Sequence, residues 1–401
     1  MESYYILVLL AGILVAFVLL VLIATDHFFK EQIPSDVDQP AKLRLYHCLY
    51  TLMDILVSLS CSGILGFSEK EKRGLPAWQD SQLFIKDLHF DGVPMRIYLP
   101  REPSASKRRG VIFIHGGCGI FGSIMLIFNS FNSLICTYVI LNYFLMGYTP
   151  EFRYPAQTLE CLSATVHFLK TADTYGVDPA RIVVCGDSVG GTFATSVCQE
   201  LVHRTDIPKI RAQVLIYPFL QALNFNLPSH QKNAAVPFLL RERAVHFILK
   251  YLNKDCSLKE PMLAGSHVPE TINLKYRKWI SPDLIPDEFK VGYKPPLPTL
   301  FLPQVHEEVQ ELFEPRVSPL LAEDAVVCAL PDTCIVTCEH DVLRDDGLLY
   351  KKRLEDNNVH VTWHHVEKGF HAALGFFGYG IFSFPSSNTI INHAVDFIKG
   401  Y

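Results

Sequence analysis

The sequence predicts an α/β protein: a mostly parallel central sheet alternating with helices, a helical cap inserted into it, and an N-terminal transmembrane helix. Three observations carry that prediction. Apolar runs of strand length recur at 110–117, 181–185, 212–220, 333–341 and 359–371, several ending in glycine or acidic turns. Such continuous apolar runs are what strands buried on both faces look like. Helix-like stretches alternate with them, as βαβ units require. Finally, residues 4–25 carry no charged side chain.

Composition narrows the function classes. The 401 residues are 49% apolar and only 19% charged, with a formal charge of −5. A disordered chain needs low hydrophobicity and high charge, so it is excluded. A nucleic-acid partner is not expected, because the balance is acidic rather than basic. Eleven cysteines scattered over a long chain are not a small disulfide scaffold. Cys328, Cys334 and Cys338 lack the paired spacing or the histidines of a metal site, so no metal is expected.

In chain order, residues 1–25 read as a membrane anchor. About 20 apolar residues at ~1.5 Å rise span the ~30 Å hydrocarbon core of a bilayer. A cleaved signal peptide is the rival, but the run is long and its leading flank carries Glu2 and no Lys or Arg. Residues 26–108 read as linker, helices and a first hairpin. Within them 41–67 is an apolar helix broken by charges, packed on the domain or lying at the membrane surface. Residues 81–100 alternate around an Asp91–Gly92 turn and predict a β-hairpin. Residues 109–220 form the first part of the core; 110–150 carry no Asp, Glu, Lys or Arg and read as a buried helix and strand. Residues 221–315, rich in proline, read as a cap insertion. Residues 316–401 complete the core, with a helix beginning near Gly347.

The chemistry is concentrated at a few turns. Gly186-Asp187-Ser188-Val189-Gly190 follows a strand and precedes an apolar helix, which is the context that the G-x-S-x-G nucleophile elbow of α/β-hydrolases requires. A nucleophile on so sharp a turn needs neighbours without side chains. A serine hydroxyl also needs a base, and in this fold an acid and a histidine follow in chain order at later strand ends. Asp341, directly after the strand at 333–341, is the expected acid. Glu339, Asp345 and Asp346 are its competitors, the last two being read as caps of the next helix. His371 lies just past a strand, after Lys368-Gly369-Phe370, and is the expected base; His360, His364 and His365 fall within the strand pattern. An oxyanion hole needs prepositioned N–H donors. His115-Gly116-Gly117-Cys118 follows a strand upstream of the serine, so Gly116, Gly117 and Val189 are the expected donors, with His115 anchoring the loop.

With these motifs in order, the chain resembles the arylacetamide deacetylase-like proteins, the like-3 and like-4 group, in the hormone-sensitive-lipase branch of the α/β-hydrolases. The resemblance rests on the N-terminal anchor, H-G-G-C with F-G-S (121–123), Y-G-V-D-P (175–179) and G-D-S-V-G-G (186–191). Y-P (217–218), S-P-L (318–320), D-V-L-R-D-D (341–346) and G-F-H (369–371) complete it. It covers essentially the whole chain. It implies serine hydrolysis of esters or amides of apolar acyl groups, with no cofactor. It also implies a single-pass type II protein of the endoplasmic reticulum with a lumenal catalytic domain. The flanking cations Lys30, Lys42 and Arg44 alone place the bulk of the chain in the cytosol; three cations are a weak signal, and the lumenal orientation is the expectation kept. Two departures stand out. Cys118 replaces the third glycine of H-G-G-G, and the 143–151 segment lacks the arginine of the family's Y-R-L-A-P-E stretch. They leave an alternative: a catalytically weak or inactive hydrolase fold that binds a ligand.

Overall fold

The computed structural model describes residues 33–49, 83–117, 138–143, 153–378 and 380–401. The expected anchor at 1–25, Cys118, the F-G-S at 121–123 and most of the altered 143–151 segment lie outside them. Among the described residues, no helix is long and apolar enough to cross a membrane.

Among the described residues one eight-stranded sheet runs in the order β1-β2-β4-β3-β5-β6-β7-β8. β1 (Leu83–Phe90) and β2 (Val93–Pro100) form the expected hairpin. Asp91 and Gly92 both take positive φ, 50° and 86°, the requirement of a tight turn whose twist matches the strands. β2 pairs antiparallel with β4 (Tyr138–Tyr143). From β4 onward every pairing is parallel, through β3 (Arg108–Ile114), β5 (Val177–Asp187), β6 (Ala212–Ile216), β7 (Asp332–His340) and β8 (Val361–Phe370).

Successive strand residues face opposite layers, and the core shows it. Ile112, Val184, Leu215 and Ile335 pack on one face, with helices α1 (Ala156–Thr171), α2 (Val189–Leu201) and, beyond the cap, α4 (Arg344–Asp356). Val111, Val183, Val214 and Val336 pack on the other, with α5 (Pro385–Lys399) and the N-terminal residues Val37 and Leu43. The cap residues 221–315 carry short helical pieces and one longer helix, α3 (Arg241–Tyr251). Phe225, Val245, Leu249 and Ile285 belong to the first of these core layers, so the cap is welded to the sheet rather than built on a core of its own.

Two boundaries differ from expectation. The run at 212–220 stops being strand at Ile216, because Tyr217 turns to φ 35°. The helix expected near Gly347 begins at Arg344. Asp345 and Asp346 therefore lie inside its first turn and are not caps. They reach into the buried start of the cap instead. Asp346 accepts from the backbone N–H of Leu220 at 2.9 Å and of Gln221 at 3.3 Å, and from Gln221 Nε2 at 2.9 Å. Asp345 accepts from Ser229 N–H at 2.6 Å. Arg344, fully buried, donates to Asp345, to Glu339 and to the Phe289 carbonyl.

Candidate active site

The site is assembled where β5 meets α2. Ser188 is held there at φ 54°, ψ −126°, a conformation that L-residues seldom adopt. Three glycines make the turn possible. A Cβ on Gly186 would lie 2.1 Å from the Gly190 carbonyl oxygen, and one on Gly190 would lie 2.1 Å from the Ile114 carbonyl oxygen. One on Gly191 would meet Pro218 Cβ at 2.7 Å. The Ser188 N–H donates to the Ile216 carbonyl at 2.9 Å, which ties the elbow to β6.

The three residues singled out in the sequence converge. Ser188 Oγ is 2.9 Å from His371 Nε2, and His371 Nδ1 is 2.8 Å from Asp341 Oδ2. The other Asp341 oxygen accepts the Leu343 N–H at 2.8 Å, so the carboxylate is fixed at both ends. Asp341 is buried, and Ser188 and His371 are 7% and 6% exposed, enough for a small group to reach them. The competing residues lie elsewhere. His365 faces Glu339 at 3.1 Å and His364 stacks on His393 at 4.0 Å. Arg344 pairs with Glu339 and Asp345, which leaves Asp341 to His371.

The oxyanion loop needs one correction. The Gly116 N–H is not free: it donates to Asp187 Oδ1 at 2.8 Å. The Asp187 side chain lies beneath the loop, so a Cβ on Gly116 would meet Asp187 Oδ2 at 2.9 Å. Gly117, at φ 108°, carries the turn onward. Val189 is the first residue of α2, and its N–H is one of the unpaired donors at a helix N-terminus. Asp187 is fully buried, and burial raises its pKa to about 6 against the opposing pull of the Gly116 N–H, His371 and Tyr217. His115 is buried with Nδ1 2.6 Å from the Gly116 carbonyl, and burial lowers its pKa, so it braces the loop as an uncharged ring.

Tyr217 was not foreseen as part of the site. Its ring lies 4.9 Å from the His371 ring and its hydroxyl 3.4 Å from Asp187 Oδ2. The Y-P pair marks the position in the sequence, but nothing in the sequence says that the ring lies against His371. Beside Ser188 opens a small apolar cavity of about 50 Å³, lined by Phe193, Phe219, Leu239, Phe247, Ile248, Tyr251 and Val317 among others. Its walls come from α2, the cap and the 316–321 turn. Among the described residues no group of side chains could hold a metal.

Strand order, elbow and apolar cavity define the class: a hydrolase of the α/β-hydrolase fold. The α/β-hydrolase fold family matches residues 111–273 and 298–375. Human arylacetamide deacetylase-like 4 is 42% identical over 94% of both chains. Mouse arylacetamide deacetylase-like 3 is 40% identical over 98% of this chain and 99% of its own. Rat arylacetamide deacetylase is 34% identical over 94% and 97%. Among solved structures, carboxyl esterase 2 of the mycorrhizal fungus Tuber melanosporum shares the fold, with TM-score 0.60 and 19% identity over 81% of this chain and 89% of its own. The chain belongs to the arylacetamide deacetylase-like family of α/β-hydrolases.

Proposed function

We propose that this chain is a membrane-anchored serine hydrolase that cleaves carboxylic esters, and amides of apolar acyl groups, through Ser188, His371 and Asp341. One observation carries the reading: the unbroken path from Ser188 Oγ to His371 Nε2 at 2.9 Å and from His371 Nδ1 to Asp341 at 2.8 Å. Ser188 Oγ attacks the carbonyl carbon while His371 Nε2 takes the hydroxyl proton. The carbonyl oxygen becomes an oxyanion that the N–H groups of Gly117 and Val189 stabilise. The tetrahedral intermediate collapses, and the leaving alcohol or amine receives the proton from His371. Water, deprotonated by the same ring, then releases the acid and frees Ser188. Asp341 holds the Nδ1–H tautomer and stabilises the imidazolium. No cofactor is required.

The walls of the cavity support an apolar acyl group, since they offer little hydrogen bonding beyond Ser188. The amide arm rests on the names of the relatives. The uncharged run at 4–25 supports a single anchor, and the resemblance supports a lumenal catalytic domain in the endoplasmic reticulum. A glycosylation site engineered near the C-terminus is expected to be modified; an unmodified one on folded protein reverses the orientation.

A fluorophosphonate probe tests the chemistry on the membrane-expressed protein. Labelling is expected for the wild type, absent for Ser188→Ala and strongly reduced for His371→Ala. Folded wild-type protein that does not label overturns the reading and puts ligand binding without catalysis in its place.

A further inference from the structure

The helical residues 40–49 carry two different faces. Leu43, His47 and Cys48 are buried against the domain, whereas Leu45 and Leu49, one helical turn apart, are 53% and 49% exposed. A second bare apolar pair, Ile381 and Phe382, is 84% and 52% exposed. The two pairs belong to one surface, because Tyr46 stacks on Phe376 at 5.3 Å and lies 6.2 Å from Phe382. Lys42 Nζ also donates to the Ser383 carbonyl at 2.6 Å. The surface is fixed to the sheet: the Asp38 N–H donates to the Lys368 carbonyl at 3.0 Å, and Asp38 Oδ2 accepts from the Ser386 N–H at 2.7 Å.

A cluster of bare aliphatic and aromatic side chains on one face marks a contact with something apolar, and the chain itself indicates what. Its uncharged run ends at Thr25, and the backbone is bound to the domain again at Asp38. The twelve residues between span ~40 Å at full extension, less than the ~55 Å width of a domain of this length. If 4–25 crosses a bilayer, as proposed above, the tether is too short to let the face around Asp38 turn away from it.

We infer that Leu45, Leu49, Ile381 and Phe382 rest in the surface of the lipid bilayer and set the mouth of the active site against it, so that the substrates are esters dissolved in the membrane. The face is joined to the cavity wall by a short chain of contacts. His47 Nδ1 accepts the Phe238 N–H at 3.3 Å, and the Phe238 ring stacks on Phe370 at 5.8 Å, the residue before His371. Leu239, next in the chain, lines the cavity. Two side chains, His47 and Phe238, thus separate this face from the cavity wall.

The inference rests on the anchored-hydrolase reading, and its test separates the two. Full-length Phe382→Trp is reconstituted in phosphatidylcholine nanodiscs with and without bromine on the acyl chains; the wild type supplies the background of its own tryptophans. Leu274→Trp, on an exposed cap helix (Leu274 is 62% exposed), is the comparison. The added fluorescence of Phe382→Trp is expected to fall at least twofold in brominated lipid and that of Leu274→Trp to stay unchanged. Leu45→Ser/Leu49→Ser/Phe382→Ser is expected to lose about tenfold in kcat/KM on a long-chain ester held in vesicles. It should keep fluorophosphonate labelling and its rate on a short soluble ester within twofold. Absent or equal quenching of the two tryptophans overturns the inference, as it would if residues 50–82 or another protein covered the face. So does an equal loss on both esters. Missing labelling of the wild type with quenching intact sinks the catalytic reading and leaves the face standing.

Discussion

The nucleophile elbow and the cap meet at one cavity, and they are held by opposite means. The elbow is held by missing atoms. Gly186, Gly190 and Gly191 let three backbone segments approach to distances at which no Cβ fits, and Ser188 is left at φ 54° by that packing. The cap is held by buried carboxyl groups. Asp345 and Asp346 gather backbone N–H groups of Leu220, Gln221 and Ser229 into the interior, and Arg344 pairs with Asp345. A turn set by sterics has one solution. An anchor set by buried carboxylates can be tuned, and it answers to protons.

The largest expected effect lies on the steric side. Gly190→Ala places a Cβ 2.1 Å from the Ile114 carbonyl oxygen and 2.8 Å from His115. Backbone atoms cannot yield there as a flexible side chain would, so the cost should exceed about 4 kcal/mol, the range that marks a named structural failure. Little soluble protein and no serine labelling are expected. Soluble Gly190→Ala with wild-type labelling would break the comparison, because the elbow would then have slack.

Next comes the arginine of the cap anchor. Arg344→Met fills similar volume but leaves the carboxylates of Glu339 and Asp345 without their shared cation, and Asp345 is fully buried. Removing one partner of a buried pair costs about 3–5 kcal/mol. Thermal unfolding should show a drop in Tm of several degrees or more. Serine labelling of the still-folded fraction should survive, because the Arg344 side chain bonds Asp345, Glu339 and Phe289, and only its backbone N–H, which Met keeps, donates to the Asp341 carbonyl. A Tm within a degree of wild type would mean that apolar packing alone holds the cap.

The same contrast explains what could be read in advance. Glycine is the only residue that satisfies the elbow, so G-D-S-V-G-G announces its geometry, and with it the serine, the strand before and the helix after. The positions of Asp341 and His371 near Ser188 were legible because both directly follow apolar runs, where strands end. The roles of Asp345 and Asp346 were not. A carboxylate near a helix start reads as a cap, and its real partners, the N–H groups of Leu220, Gln221 and Ser229, belong to every residue type and leave no mark. The Gly116 donor failed for a related reason: the motif supplies an N–H, but only the fold shows that Asp187 takes it. The cavity wall escaped notice because residues 239–251 come from a cap whose apolar pattern does not say which side faces the serine.

The smallest effect sharpens the comparison by pH. Burial raises the pKa of Asp346 to about 7 and that of Asp187 to about 6, so each carboxyl holds its proton more tightly in the folded chain than in the unfolded one. Their contribution to stability is full below the ordinary carboxylate range near pH 4. It is lost as pH rises through about 6 for Asp187 and about 7 for Asp346. Glu339 works the other way. Burial pushes its pKa up, but His365, Arg344 and Lys232 outweigh that and hold it at about 2. Its contribution is present above about pH 4.5 and lost as pH falls toward 2. Asp346→Asn therefore should flatten the decline of Tm between about pH 5 and 8 while leaving kcat alone, because residue 346 bonds Leu220 and Gln221 and not Ser188, His371 or Asp341. Asp187→Asn should move the other observable. Its oxygen still accepts the Gly116 N–H, but the charge beneath the oxyanion loop is gone, so the change in activity around pH 6 should shrink. If Asp346→Asn altered kcat, or Asp187→Asn altered only Tm, cap and elbow would not be separable, and the cavity between them would respond to protons as a single unit.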